Sequence, residues 1–459
     1  MKNMTLQNIA KACNGTYYGS NQQADAEVTA ITTDSRRIEE GCLFVAIKGA
    51  RSDGHDFIPG AYEDGALCVI SERVLEGNTQ PYIKVESSLD AIKKMGEFYR
   101  KQLSVTVVGI TGSVGKTSTK EMVASVLSQK YKVLKTQGNF NNELGLPLTI
   151  FRLTEEDEIA VLEMGISDFG EMHRLSQIAR PDICMLTNIG MCHLENLKTR
   201  DGILKAKSEI FDFMNSNGQI IVNGDDDKLN TLNNVNGVEP MCFGMQESCD
   251  VWADNVQSLG LRGTCCTIHT NEGNFVVTIP IPGKHMIYNA MAGTLAGLAL
   301  GLELYEIKAG IEKLEPLGGR NNIIFGDKYT LIDDCYNANP VSMRASIDVL
   351  CDADTRKVAI LGDMGELGED EKRLHYELGE YIAKSSVDLL ICVGELSKEI
   401  MKGFWENRVE LMGKEGMVVQ YDTVSELLAD VDNRLGFGDS VLVKASHFMK
   451  FEQIVEKLK

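Results

Sequence analysis

Residues 105–121 read VTVVGITGSVGKTSTKE. A short apolar run enters a glycine-bearing loop, and a lysine followed by a hydroxyl residue opens a helical pattern. The group Gly112-x-x-Gly115-Lys116-Thr117 departs from the full phosphate-loop spacing: the place of the first glycine is held by Ile110, and Gly109 stands one residue early. The chemistry survives the departure. Glycines let backbone N–H groups turn toward phosphate oxygens, and a helix start adds the positive end of its dipole. Lys116 can then reach the β- and γ-phosphates and Thr117 can coordinate Mg²⁺. Gly112, Ser113, Val114, Gly115, Lys116, Thr117 and Ser118 are therefore the expected contacts of a nucleoside triphosphate.

Three more residues have the right type for work beside such a loop. Glu163 closes the run IAVLE, where a carboxylate emerging beside the loop would serve Mg²⁺; a solvated strand-end glutamate is the plain alternative. His193 follows TNIGMC on the same presumed edge. A loop histidine is commonly structural, but a neutral imidazole there could ligate a metal. In RDGILKAKSEIFDFM, Lys207 shares a helical face with Ile203, Ile210 and Phe211, whereas Lys205 shares its face with Asp201, Glu209 and Asp212. An inward lysine tends to lose its proton, because desolvation disfavours the charged form. The neutral amine can add CO₂ to become a carbamate, an anion suited to Mg²⁺; a snorkelling side chain is the alternative.

The elements that must position these residues are legible as a rhythm. VTVVGIT, EIAVLEMG, ICMLTNIG and GQIIVNGDD are apolar runs ending in polar residues or glycine, with helical patterns between several of them. This implies βαβ units and a parallel sheet covered on both faces. ELYEIKAGIEKLEPLGGRNN ends a helix near Pro316 and a glycine pair, a hinge signal. The rhythm then restarts with YTLIDD, KVAILGD, VDLLICVGE, MVVQYD and DSVLVKAS. The expected fold class is α/β with three domains: a mixed α/β N-terminal domain (1–100), a central P-loop-type doubly wound sheet (101–315) and a smaller Rossmann-like C-terminal domain (316–459). Ligands collect beyond the carboxyl ends of parallel strands. That rule draws attention to Thr111–Thr117, Glu163, Thr187–His193, Asp333, Asp334 and Lys444–His447.

The bulk numbers narrow the partners. A formal net charge of −20 argues against nucleic acid, which needs a basic footprint. The twelve cysteines show no CxxC or metal-type spacing, and free thiols in a reducing cytoplasm are expected. The N-terminal MKNMTLQNIAKACNG lacks a signal-peptide core, and no apolar run reaches the roughly 20 residues of a membrane span.

TGSVGKTSTKE, TQGNFNNELGLP, LEMG, PDICMLTNIGMCHLE, LKAKSEIF, GKHMIYNAMA, LGGR and DDCYNANP follow one another in the order and spacing of the Mur ligases of peptidoglycan synthesis, which the chain resembles over essentially its whole length. DDCYNANP followed by ILGDMGELG resembles the branch that adds D-alanyl-D-alanine, as does the N-terminal TTDSRRIEEGCLFVAIKGARSDGHDF. The branch adding diaminopimelate or lysine would carry a DYAHTP-like segment in place of DDCYNANP. The alanine-adding branch would begin with a short glycine motif, and folylpolyglutamate synthases begin nearer the ATP loop.

The resemblance implies an ATP-dependent amide ligase with an acyl-phosphate intermediate. Its substrates would be UDP-N-acetylmuramoyl-tripeptide and D-alanyl-D-alanine, its products ADP, phosphate and a pentapeptide precursor, and it would act as a cytoplasmic monomer. It implies two Mg²⁺ ions, held by Thr117, Glu163, His193 and a carbamylated Lys207. It assigns the uridine nucleotide to Asp34, Ser35, Arg36, Lys48, Gly49, Asp53, Gly54 and His55, and it sets Asn139, Asn141 and Asn142 near the magnesium and the substrate carboxylate. Asn289 matches the residue facing adenine, Arg320 the arginine reaching the phosphates, and Asp334 the ribose aspartate. Asn337, Asn339 and Ser446 are implied contacts of the dipeptide. Local turns built by the asparagines are the plain alternative.

Overall fold

The computed structural model describes residues 1–50, 52–407 and 418–459. Three sheets organise it. The largest has nine strands, in the spatial order Gly273–Ile279, Thr264–Thr270, Val251–Ser258, Met241–Gly244, Gln219–Asn223, Ile183–Leu186, Thr106–Thr111, Ile159–Glu163 and Val133–Lys135. The strands from Val251–Ser258 to Val133–Lys135 run parallel, and the other two add antiparallel at one edge. The four apolar runs read from sequence all form parallel strands. The antiparallel edge was not foreseen, because its strands alternate polar and apolar residues and lack the long apolar runs of the others.

The central strands are apolar on both faces because both faces are buried. Along Thr106–Thr111, Val107 packs into one core with Leu162, Cys184 and Ile220. Val108 and Ile110 pack into the opposite core with Val161, Met185 and Ile221. Helices Lys116–Leu127 and Lys284–Ala299 cover the second face and pack on one another. The first face continues into the N-terminal region through helix Ser88–Arg100, whose Met95 and Tyr99 share a core with Leu146 and Ile150. Arg100 is buried there and satisfies its guanidinium on the carbonyls of Ala179, Leu103 and Val105, each at 3.0 Å.

The N-terminal sheet has five strands, parallel except for Thr16–Tyr18 at one edge. The C-terminal sheet has six, parallel except for the edge strand Asn322–Phe325, which the sequence reading also passed over. Helix Leu304–Glu312 is capped by Lys313, ahead of Pro316. A tight turn then pairs Leu317 with Arg320, with Gly319 at φ +74°.

Candidate active site

The carboxyl ends of the central parallel strands and of the C-terminal strands face one cleft of about 700 Å³. On the central side it is lined by Ser113–Thr119, Asn139, Asn141, Asn142, Glu163, His193 and Asn289; on the other by Arg320, Asp334, Asn337, Asn339 and Glu366.

The phosphate loop is shaped by its neighbours. Gly115, at φ +82°, caps helix Lys116–Leu127 in a left-handed conformation that suits glycine. Gly112 passes so close to Thr187 that a Cβ there would lie 1.9 Å from its Oγ1. Thr187 and Asn188, just beyond strand Ile183–Leu186, latch the loop. Asn188 accepts the Val114 N–H at 2.9 Å on its Oδ1 and the Ser113 N–H at 3.0 Å on its carbonyl, while the Thr187 hydroxyl donates to the Val114 carbonyl at 3.0 Å. Lys116 donates to the Gly112 carbonyl at 2.9 Å, so its ammonium already curls over the loop.

The Thr117 hydroxyl donates to Glu163 Oε2 at 2.8 Å, and Asn141 Nδ2 donates to Oε1 at 2.8 Å. Glu163 is buried at its strand end, where its N–H is held by the Thr136 hydroxyl at 3.0 Å. Among the described residues no three His, Cys, Asp or Glu side chains converge on one point. A hydroxyl and one carboxylate make a sparse, hard oxygen set. It suits Mg²⁺, which keeps waters and substrate phosphates as its other ligands.

Lys207 lies on helix Arg200–Ser208, 1% exposed, between the buried Ile203, Ile210 and Phe211. Burial, reinforced by the charge of Lys116, lowers its amine to about 7. Lys205 is exposed, as its polar face requires. His193 sits in a left-handed backbone at φ +52°. Burial, with the charges of Lys207 and Lys116, holds its imidazole below the ordinary range against the opposing pull of Glu366. An imidazole held toward its neutral form, within electrostatic reach of an amine that sheds its proton readily, can join a second metal once the amine carries a carbamate; as an amine alone, Lys207 supplies no anionic ligand.

The remaining sequence-derived residues divide. Asn289 accepts from the Thr119 hydroxyl at 2.8 Å and faces the cleft. The Arg320 guanidinium stacks over Tyr336 at 4.1 Å. Asp334 lines the cleft but is engaged by Lys444 Nζ at 2.6 Å, the Ser346 hydroxyl at 2.5 Å and the Asn321 N–H at 3.0 Å. Asn142 accepts the Leu144 and Gly145 N–H groups, and Asn339 caps helix Pro340–Cys351, so both also serve local turns. Asn139 and Asn337 are at the cleft wall. Ser446 is buried and does not line it; its Oγ accepts the Gly365 N–H at 2.8 Å.

Asp34, Ser35, Arg36, Lys48, Gly49, Asp53, Gly54 and His55 form a separate group, not lining the cleft. They follow the neighbouring parallel strands Ile31–Thr32 and Leu43–Val45, off one edge of the N-terminal sheet. Arg36 pairs with Asp34 through its side chain and its N–H and takes that carboxyl down to about 2. His55 Nδ1 lies 2.7 Å from Asp53, and its Nε2 accepts the Glu72 N–H at 3.0 Å, so both ring nitrogens brace the loop. Gly54 has no room for a side chain, since a Cβ would lie 2.6 Å from the Ile47 nitrogen.

The sequence reading assigned no role to Thr136, Tyr336, Lys444 or Glu366. Lys444 ends a strand, and Tyr336 and Glu366 lie in the segments DDCYNANP and ILGDMGELG, so each carried a positional signal, but only tertiary packing turns their side chains to the cleft.

Residues 27–101 match the Mur ligase family catalytic domain, 110–297 the Mur ligase middle domain, and 319–447 the Mur ligase glutamate ligase domain. The UDP-N-acetylmuramoyl-tripeptide–D-alanyl-D-alanine ligase of Bacillus subtilis is 37% identical over 99% of this chain and 98% of its own length. The ligase of the same name from Escherichia coli is 36% identical over 87% and 88%. The crystal structure of MurF from Acinetobacter baumannii superposes with a TM-score of 0.90 at 33% identity, covering 99% of this chain and 98% of that one. MurF from Thermotoga maritima in complex with ADP superposes at 0.80, with 31% identity over 93% and 96%. With a nearly full-length match to these relatives and a cleft built as described, the chain belongs to the Mur ligase family.

Proposed function

We propose that this chain is the ATP-dependent ligase that joins D-alanyl-D-alanine to UDP-N-acetylmuramoyl-tripeptide, releasing ADP and phosphate and giving the pentapeptide precursor of peptidoglycan. The reading is carried by the cleft itself: a phosphate loop with a Thr117–Glu163 contact, faced by Arg320 and the Glu366 loop of the C-terminal sheet. Full-length relatives that carry this name support it.

A carboxylate is a poor electrophile until one oxygen becomes a leaving group. The tripeptide's terminal carboxylate attacks the γ-phosphorus of ATP, and the resulting acyl phosphate is opened by the dipeptide amine, which forms the amide and expels phosphate. Such a phosphoryl transfer depends on positioning and charge neutralisation. Lys116 and the loop N–H groups orient the β- and γ-phosphates, and Arg320 approaches them from the C-terminal side. Thr117 and Glu163 would hold one Mg²⁺, and His193 with a carbamylated Lys207 a second. Bound there, the ions would neutralise phosphate charge. Asn141 aligns Glu163, and Asn139 and Asn142 border the same corner. Asn289 faces the adenine side and Asp334 the ribose side. Asn337 and Asn339 border the space left for the dipeptide. Water must be kept from an acyl phosphate, and closure of 316–459 over 101–315 provides that. The uridine nucleotide binds in 1–100, at the loops holding Asp34–Arg36 and Lys48–His55. The product precursor is made in the cytoplasm, by a single chain.

The test is a coupled assay with ATP, Mg²⁺, the uridine-linked tripeptide and D-alanyl-D-alanine. ADP release must require both substrates, and the muramyl product must gain the mass of one dipeptide less water. Release supported instead by glutamate with a folate acceptor, or by a single diaminopimelate or lysine, would refute the reading.

A further inference from the structure

We propose that Glu366 is the docking carboxylate for the ammonium group of the incoming dipeptide, an assignment resting on the reading that this cleft joins a dipeptide to an activated acid. The amine arrives largely as a cation at neutral pH, in a cleft whose wall also carries the cations Lys116 and Arg320. It needs a negative partner on the side away from the phosphate loop.

The described cleft wall offers three carboxylates. Glu163 is committed to Thr117 and Asn141. Asp334 is committed to Lys444, Ser346 and the Asn321 N–H. Glu366 accepts no hydrogen bond from any described residue. Its side chain is 78% exposed, and its one near polar partner among the described residues is the imidazole of His193, with Nδ1 at 3.6 Å across the cleft. It is therefore the carboxylate left to a ligand.

Its loop is built to hold it there. The loop follows strand Lys357–Gly362, at the carboxyl edge where an α/β sheet receives ligands. Each residue before Glu366 is pinned. Asp363 Oδ1 accepts the Ser397 N–H at 2.8 Å, the Met364 N–H donates to buried His375 Nε2 at 2.8 Å, and the Gly365 N–H donates to Ser446 Oγ at 2.8 Å. Glu366 then adopts φ +62°, a backbone that non-glycine residues seldom take. Ser446, implied from the family resemblance as a dipeptide contact, acts through this brace and is a positioning residue. The exposed Phe448 lies against Gly365 and leaves little room for a larger residue there, which further fixes the loop.

The experiment is steady-state kinetics of the full chain and Glu366→Gln, with a second nucleophile as control. Glu366→Gln should raise the KM for D-alanyl-D-alanine by about 10- to 100-fold, the range for losing one charge-assisted hydrogen bond. The KM values for ATP and the uridine-linked tripeptide should stay within about threefold. Hydroxylamine is uncharged at neutral pH and needs no ion pair, so hydroxamate formation from ATP and the tripeptide should persist. Glu366→Asp should recover part of the dipeptide affinity, and Ser446→Ala should raise the dipeptide KM by less than Glu366→Gln. An unchanged dipeptide KM in Glu366→Gln overturns the assignment, as does equal loss with both nucleophiles, which would put the effect on His193 or the fold. If the parent chain releases no dipeptide-dependent ADP, the proposed function itself falls.

Discussion

Lys207 offers the sharpest test of how burial shapes this site. Its amine falls from an ordinary value of 10.5 to about 7, chiefly through burial and then through the charge of Lys116. The unfolded chain keeps this amine protonated up to about pH 10.5, whereas the folded chain releases the proton above about 7. Between those limits the unfolded state holds more protons, so stability rises with pH. At pH 7 and below the buried group costs its full amount, and the cost fades toward pH 10.5. The span at ~1.4 kcal/mol per pH unit sets an upper value of about 5 kcal/mol. Lys207→Met keeps the length and apolar stem without the charge. In CO₂-free buffer it should melt several degrees above the parent at pH 7, at about 2–4 °C per kcal/mol for a unit of this size. By pH 9 the gap should shrink by roughly half, since two pH units return about 2.7 kcal/mol. Bicarbonate should raise the parent's melting temperature and leave the variant's unchanged, because only the parent can form a carbamate. A stability gap independent of pH would refute the burial argument; a variant retaining full ligase activity would refute the metal role. Lys207→Ala should lose activity and regain part of it with short carboxylic acids.

Glu163→Gln should leave the fold intact, because the amide still reaches Thr117 and Asn141, yet weaken Mg²⁺ activation by about 10- to 100-fold, read from the metal dependence of ADP release. Gly112→Ala sets a Cβ 1.9 Å from Thr187 Oγ1 and should displace the loop, raising the KM for ATP by at least about 10-fold while the far-ultraviolet circular dichroism stays the same. Asp334→Asn leaves Lys444, 2% exposed on its side chain, without its counter-charge. Thermal unfolding should register a loss of about 3 kcal/mol, partly recovered in Asp334→Asn combined with Lys444→Met.

What could be read from the chain follows from locality. The phosphate loop, its helix and the long apolar strands are short-range patterns: glycine at fixed offsets, a hydroxyl after a lysine, runs buried on two faces. The inward face of Lys207 was legible for the same reason, since helical periodicity places Ile203, Ile210 and Phe211 beside it before any tertiary contact forms. The antiparallel strands Thr264–Thr270 and Gly273–Ile279 escaped, because half of each faces solvent and their pairing is fixed only by the strands they meet. The bracing of its loop by both nitrogens of His55 escaped as well. So did the bond by which the Ser446 hydroxyl oxygen holds the Gly365 N–H. Hydrogen-bond partners such as the Glu72 and Gly365 amides are distant in sequence, and no residue type announces them. The sequence by itself determined which side chains can handle phosphate, metal and acyl transfer. Only the tertiary structure decided which of them remain unpaired and facing the cleft, because satisfaction of a polar group is a property of its neighbours in space.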